Sequence, residues 1–163
     1  MPAWRLDNDV VTLAGLRLRL HRIGLSHWRP GTTLRSWGAA PLHADADAQA
    51  LHAPCGAGEA LWLGAWLEDG SASGHVRLAD AAASCAGDIA LPGDFQIGAL
   101  QDARGAAQPI AAAQRRLALE LAANGTRAAL ALHLHEPGQW AALAGRPAPA
   151  PLTGPPPLPP RLG

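Results

Sequence analysis

Leucines recur at every second position on both sides of one Asn-Gly pair: Leu117, Leu119 and Leu121 precede Asn124-Gly125, and Leu130, Leu132 and Leu134 follow it. A period of two places each set on one face of a β-strand. Asn-Gly tolerates positive φ at both positions, which the two-residue type I′ turn requires, so the pair predicts a tight hairpin. In that register Leu119 stands opposite Leu130 and Leu117 opposite Leu132. A helix is the competing reading, with Pro109 as its first residue, a stretch from Ile110 to Ala123 rich in good helix formers, and Asn-Gly as its C-terminal cap. The two matched leucine sets favour the hairpin.

The same alternation appears near the start. Val10 to Leu13 reads as one strand; in a second, Leu16, Leu18 and Leu20 share one face and Arg17, Arg19 and His21 the other. Ala60 to Leu67 is apolar on both faces and leads through Asp69-Gly70-Ser71 into the alternating Gly74 to Ala79. That pairing predicts a hairpin whose first strand is central and whose second lies nearer an edge. Further short strands are expected at Thr32 to Trp37, at Asp88 to Leu91 and at Phe95 to Leu100, with Pro92-Gly93 turning the chain between the last two. Gln139 to Ala144 reads as a strand or one helical turn. Between Gly24 and Gly58 periodicity fades, which marks either a functional loop or strands that the pattern does not resolve. The turn spacing predicts an all-β domain over residues 1–145, an antiparallel β-sandwich or open barrel of about seven to nine strands.

Residues 146–163 form a separate proline-rich tail, expected to be disordered or to dock in polyproline II form. Within it, Pro156-Pro157-Leu158-Pro159-Pro160-Arg161 fits the pattern read by SH3-like grooves. A proline-rich composition also generates such a match unaided.

Thirteen basic residues, all Arg, balance thirteen acidic ones. A neutral chain lacks the field that nucleic-acid binders use, so no nucleic-acid partner is expected, and weak repulsion between copies favours self-association. The absence of Lys and Tyr points to a GC-rich bacterial or phage genome, which accounts for the arginines without invoking anion binding. The N-terminus lacks the pattern of a signal peptide and no run reaches the roughly 18 apolar residues of a membrane span, so the expected location is the cytoplasm or a multi-protein particle. Cys55 and Cys85 are able to pair but make no disulfide framework.

Three groups of residues carry candidate chemistry. His133 and His135, two apart on a strand, present both imidazoles on one face, and His75, His21 or the His43-x-Asp45-x-Asp47 run offers a third ligand for zinc or another divalent metal. The plainer reading is a solvated strand face. Trp62 and Trp66 flank Gly64 on one face and would form a platform for a glycan or other small ligand, extended by Trp28, Trp37 or Trp4. Because Leu61, Leu63 and Leu67 fill the opposite face, the better reading of the tryptophans is core. Arg17, Arg19 and His21 form a positive stripe suited to phosphate or carboxylate, or simply to water.

No catalytic arrangement is recognisable. None of Ser26, Ser36, Ser71, Ser73 and Ser84 stands in a nucleophile elbow, and Cys55 has only His52 beside it in sequence. Nucleotide-binding loops and zinc-protease motifs do not occur. The leading expectation is a non-enzymatic structural or protein-interaction module without a cofactor, such as an accessory subunit of a phage particle, a secretion apparatus or another assembly. A carbohydrate or small-ligand module using Trp62 and Trp66 is the alternative, and a His-ligated metal site the third.

Overall fold

The computed structural model describes residues 3–47, 49–68 and 73–155. The chain is mostly β, in two sheets, neither of which closes on itself. The first sheet joins β1 (Arg5–Asp7), β2 (Val10–Leu13), β3 (Leu16–Gly24), β6 (Glu59–Leu67) and β9 (Gln96–Ile97), in that order. The second contains β4 (His43–Ala44), β5 (Ala50–Pro54), β7 (Gly74–Asp80), β8 (Ala86–Leu91), β10 (Leu100–Gln101), β11 (Ala107–Gln108), β12 (Arg116–Ala123) and β13 (Thr126–His135). Its order is β11-β10-β8-β7-β12-β13-β5-β4. Leu16, Leu18, Leu61 and Leu63 of the first sheet share one buried cluster with Val76, Leu78, Leu119 and Leu132 of the second, so the sheets face each other across a common core. Each fully buried leucine adds about 1.5–3 kcal/mol of apolar transfer free energy, which is why the leucine faces turn inward.

The β12–β13 hairpin forms in the expected register, with Leu117 opposite Leu132 and Leu119 opposite Leu130. Asn124 and Gly125 take φ of 50° and 80°, as the turn demands. Helix is confined here to one short turn at Ala112–Gln114, because a longer one would expose the leucines that β12 buries.

The expected hairpin between Ala60–Leu67 and Gly74–Ala79 does not form. β6 lies between β3 and β9 in the first sheet, while β7 lies between β8 and β12 in the second, so the chain crosses from one sheet to the other. The turn assigned to Asp69-Gly70-Ser71 falls outside the described residues. The alternation in β7 reports an open outer face, not an edge position: Val76 and Leu78 are buried while His75 is exposed. β6 is apolar on both sides because the segment after β3 folds over the outer face of its first half. There Trp37 N–H donates to the Arg22 carbonyl at 2.7 Å, and Gln96 makes two hydrogen bonds to the backbone of Leu34. Gly24 permits this cover, since a Cβ there would lie 2.6 Å from the Trp37 ring.

Thr32 to Trp37 is therefore an anchored loop without strand pairing, and Phe95 to Leu100 yields only the two-residue strands β9 and β10. Nor is the sheet wholly antiparallel, because β5 runs parallel to β13. The final segment is a helix, α1 (Pro137–Ala144), with the Glu136 carboxylate accepting from Gly138 N–H and Gly145 closing it at φ 70°. No helix among the described residues is long and apolar enough to cross a membrane.

After α1 the described part of the tail, 146–155, is held against the body. Arg146 donates to Asp9 at 2.6 Å and to the Leu42 carbonyl at 2.7 Å, and Arg22 donates to the Ala150 carbonyl at 2.9 Å. The SH3-like motif Pro156–Arg161 lies outside the described residues.

Candidate functional site: a histidine cluster beside an open sheet face

The parallel pairing of β5 with β13 decides which polar residues meet. It sets His52 beside His133, while β4 sets His43 beside His52 and β12 sets Arg116 beside His133. Side chains of paired residues point to the same face, so His43, His52 and His133 form a row across three strands, with His135 two residues further along β13.

His52 is the centre of this cluster. It is 8% exposed and both ring nitrogens are engaged: Nε2 lies 2.7 Å from Asp45 Oδ1, and Nδ1 lies 2.8 Å from His135 Nε2. Its ring centre is 5.0 Å from those of both His133 and His135 and 6.1 Å from that of His43. Burial is the main cause that lowers the pKa of His133 and His135 below the ordinary 6.5, reinforced by His52 and, for His133, by Arg116; Asp45 opposes the shift. Both imidazoles are thus held toward the neutral form, in which each ring offers a lone pair.

No protein-family model, curated protein or solved structure matches this chain.

Of the metal-ligand candidates, His133 and His135 come together, and Asp45 joins them from the His43-x-Asp45-x-Asp47 run. Asp47 instead accepts from Gln49 N–H in its loop. His75 is remote: it faces Ala122 on β12, six residues from the Arg116 that faces His133, a separation of about 20 Å along the strand. There it pairs with Asp88. His21 lies in the other sheet, hydrogen-bonded to Ser36 at 2.8 Å and stacked on Trp62 at 4.0 Å. His52 was visible in the sequence only as a neighbour of Cys55. Ala50-Leu51-His52-Ala53 is too short a run to mark a strand between the Asp-containing loop before it and Pro54-Cys55-Gly56 after it.

The tryptophans divide. Trp62 is buried with Ile23, Leu34 and Ala60, and its indole donates to the Arg35 carbonyl at 3.3 Å. Trp66, 41% exposed, stands beyond the loop's cover. The two do not form a shared open platform. On the same face Arg17 pairs with Glu68. Cys55 and Cys85 are free thiols; burial, with Glu59 nearby, raises the Cys55 pKa to about 11.

Next to the histidines the outer face of the second sheet is open and carpeted with small side chains. Ala90, Ala118 and Ala129 are exposed, and Ala122 and Ala131 half-buried. Two shallow grooves of about 680 and 570 Å3 run across β12 and β13. Asp88 holds His75 and Arg77, whereas Arg116, Glu120 and Arg127 make no ion pair among the described residues.

Proposed function

We propose that this chain is a non-enzymatic interaction module of the β-sandwich type that associates with its own copies through the open face of the second sheet. The observation that carries the reading is the pair of opposite charges, Glu120 and Arg127, which make no ion pair among the described residues and stand among alanines on that face, with Arg77 opposite Glu120 on β7. They sit diagonally across the β12–β13 ladder, since Glu120 faces Ala129 and Arg127 faces Ala122. A twofold contact is self-complementary, so Glu120 of one copy meets Arg127 of the other.

Alanine suits such a contact. Small side chains let two sheets approach closely, and they lose almost no rotamer freedom on burial. The four strands β8, β7, β12 and β13, spaced about 4.8 Å apart and about seven residues long, give a face roughly 19 by 24 Å, on the order of 450 Å2. That is about half of the approximately 800 Å2 per partner of a standard stable interface, which favours a reversible dimer or a contact repeated through a larger particle. The net charge of zero removes the long-range repulsion between copies.

Charge reversal tests this reading. In sedimentation velocity, Glu120→Arg should shift the chain toward monomer, and Glu120→Arg combined with Arg127→Glu should restore association. A wild-type chain that stays monomeric at high concentration, or a double reversal no better than the single, removes the reading.

A further inference from the structure

We infer that His52, His133 and His135 form a binding site for a divalent transition metal of the zinc type, with Asp45 as the carboxylate that positions His52. The site borders the alanine face, and metal binding does not require association through it.

The backbone supplies the convergence. β5 enters the sheet parallel to β13 in the one register that sets His52 against His133, and the two-residue period brings His135 to the same face. Ring centres lie 5.0 Å apart for His52–His133 and His52–His135, and 6.2 Å apart for His133–His135. Imidazole nitrogens bind zinc at about 2.0–2.1 Å, so two rings sharing one tetrahedral ion have centres roughly 5 Å apart and donor nitrogens about 3.4 Å apart. His52 Nδ1 and His135 Nε2, at 2.8 Å, are therefore about half an ångström closer than a shared ion needs.

Protonation fits the same assignment. Asp45 accepts from His52 Nε2, which leaves the lone pair on Nδ1, directed at His135. A carboxylate on the far nitrogen of a ligating histidine fixes its tautomer and raises its basicity, the usual outer-shell partner of a metal-bound imidazole. His135 now places a proton between the two nitrogens. Binding an ion there needs that proton to move to its own Nδ1, a tautomer change with no net loss of charge.

No three donor atoms already meet at one point among the described residues. His133 supplies the third by rotating its ring out of the stack with His52. The fourth position would then open toward solvent at the groove that His133 and Arg116 border. A merely decorative histidine would be exposed and free to turn; His52 is buried, with both nitrogens committed.

The test uses the full chain without a histidine tag, stripped with chelator and titrated with Co2+ and Zn2+. One equivalent of Co2+ should give the intense visible absorption of a four-coordinate site, and Zn2+ should displace it and raise the melting temperature. His52→Gln and His135→Gln should abolish both effects, and Asp45→Asn should weaken affinity by about ten- to a hundredfold. His133→Gln keeps the Asp45–His52–His135 link intact, so loss of Co2+ binding in that variant is not a folding defect. His75→Gln serves as the unaffected control. No saturable binding by the wild-type chain, or binding that survives His133→Gln and His135→Gln, would overturn the assignment.

Discussion

The indole nitrogen of Trp140 donates to the backbone carbonyl of His52 at 3.0 Å, across 88 residues of sequence. β5 is short and its outer neighbour β4 shorter still; at the His43–His52 pair that ends their ladder, this carbonyl also takes a side-chain donor from α1. Trp140 is fully buried and Arg146 lies over its ring at 5.2 Å. The C-terminal helix thus pins the strand that carries the central histidine.

Removing that pin should be costly. Trp140→Ala is expected to destabilise the chain by about 3–5 kcal/mol in urea denaturation, and Trp140→Phe, which keeps most of the ring and loses the hydrogen bond, by less than half as much. Equal effects would mean that the hydrogen bond, not the packing, holds α1.

Arg22 and Glu59 form a buried ion pair on adjacent strands, in which Glu59 also accepts from Gly56 N–H at 2.8 Å. Arg22→Met leaves a buried carboxylate without its cation and should cost about 3–5 kcal/mol. Adding Glu59→Met should recover part of that loss, although the Gly56 amide and the Ala150 carbonyl remain without their partners. A double variant no more stable than Arg22→Met alone would contradict this.

The leucine ladders were legible in the sequence because they combine a period of two with a turn that only certain residues allow. Which sheet each strand joins was not. β6 and β7 follow one another in sequence yet belong to opposite sheets, and neither pattern records this, since a strand is apolar on both faces whether a neighbouring sheet or a folded-back loop covers it. His133 and His135 were legible as a pair. Their partner His52 was not, because a parallel pairing between residues some eighty positions apart leaves no local trace.

His21 is stacked on Trp62, and burial, with Arg19 nearby, lowers its pKa from 6.5. Below pH 6.5 the unfolded chain therefore binds more protons at this site than the folded one. Its contribution to stability is complete above that value and is lost as pH falls through the folded pKa. His21→Gln should flatten the acid side of the stability profile; an unchanged slope would show that other groups set it.

Cys55 is 3% exposed and its thiol titrates near pH 11, whereas Cys85 is partly exposed. At pH 8 a thiol-reactive disulfide reagent should modify Cys85 alone in the folded chain and both residues in denaturant. Rapid modification of Cys55 under native conditions would show that its end of β5 opens readily.

Methyl NMR of alanine-labelled protein over a concentration series tests the proposed association most directly. Shifts that grow with concentration and centre on Ala118, Ala122, Ala129 and Ala131 are the predicted result. Concentration-independent spectra, or shifts confined to alanines away from this face, would contradict it.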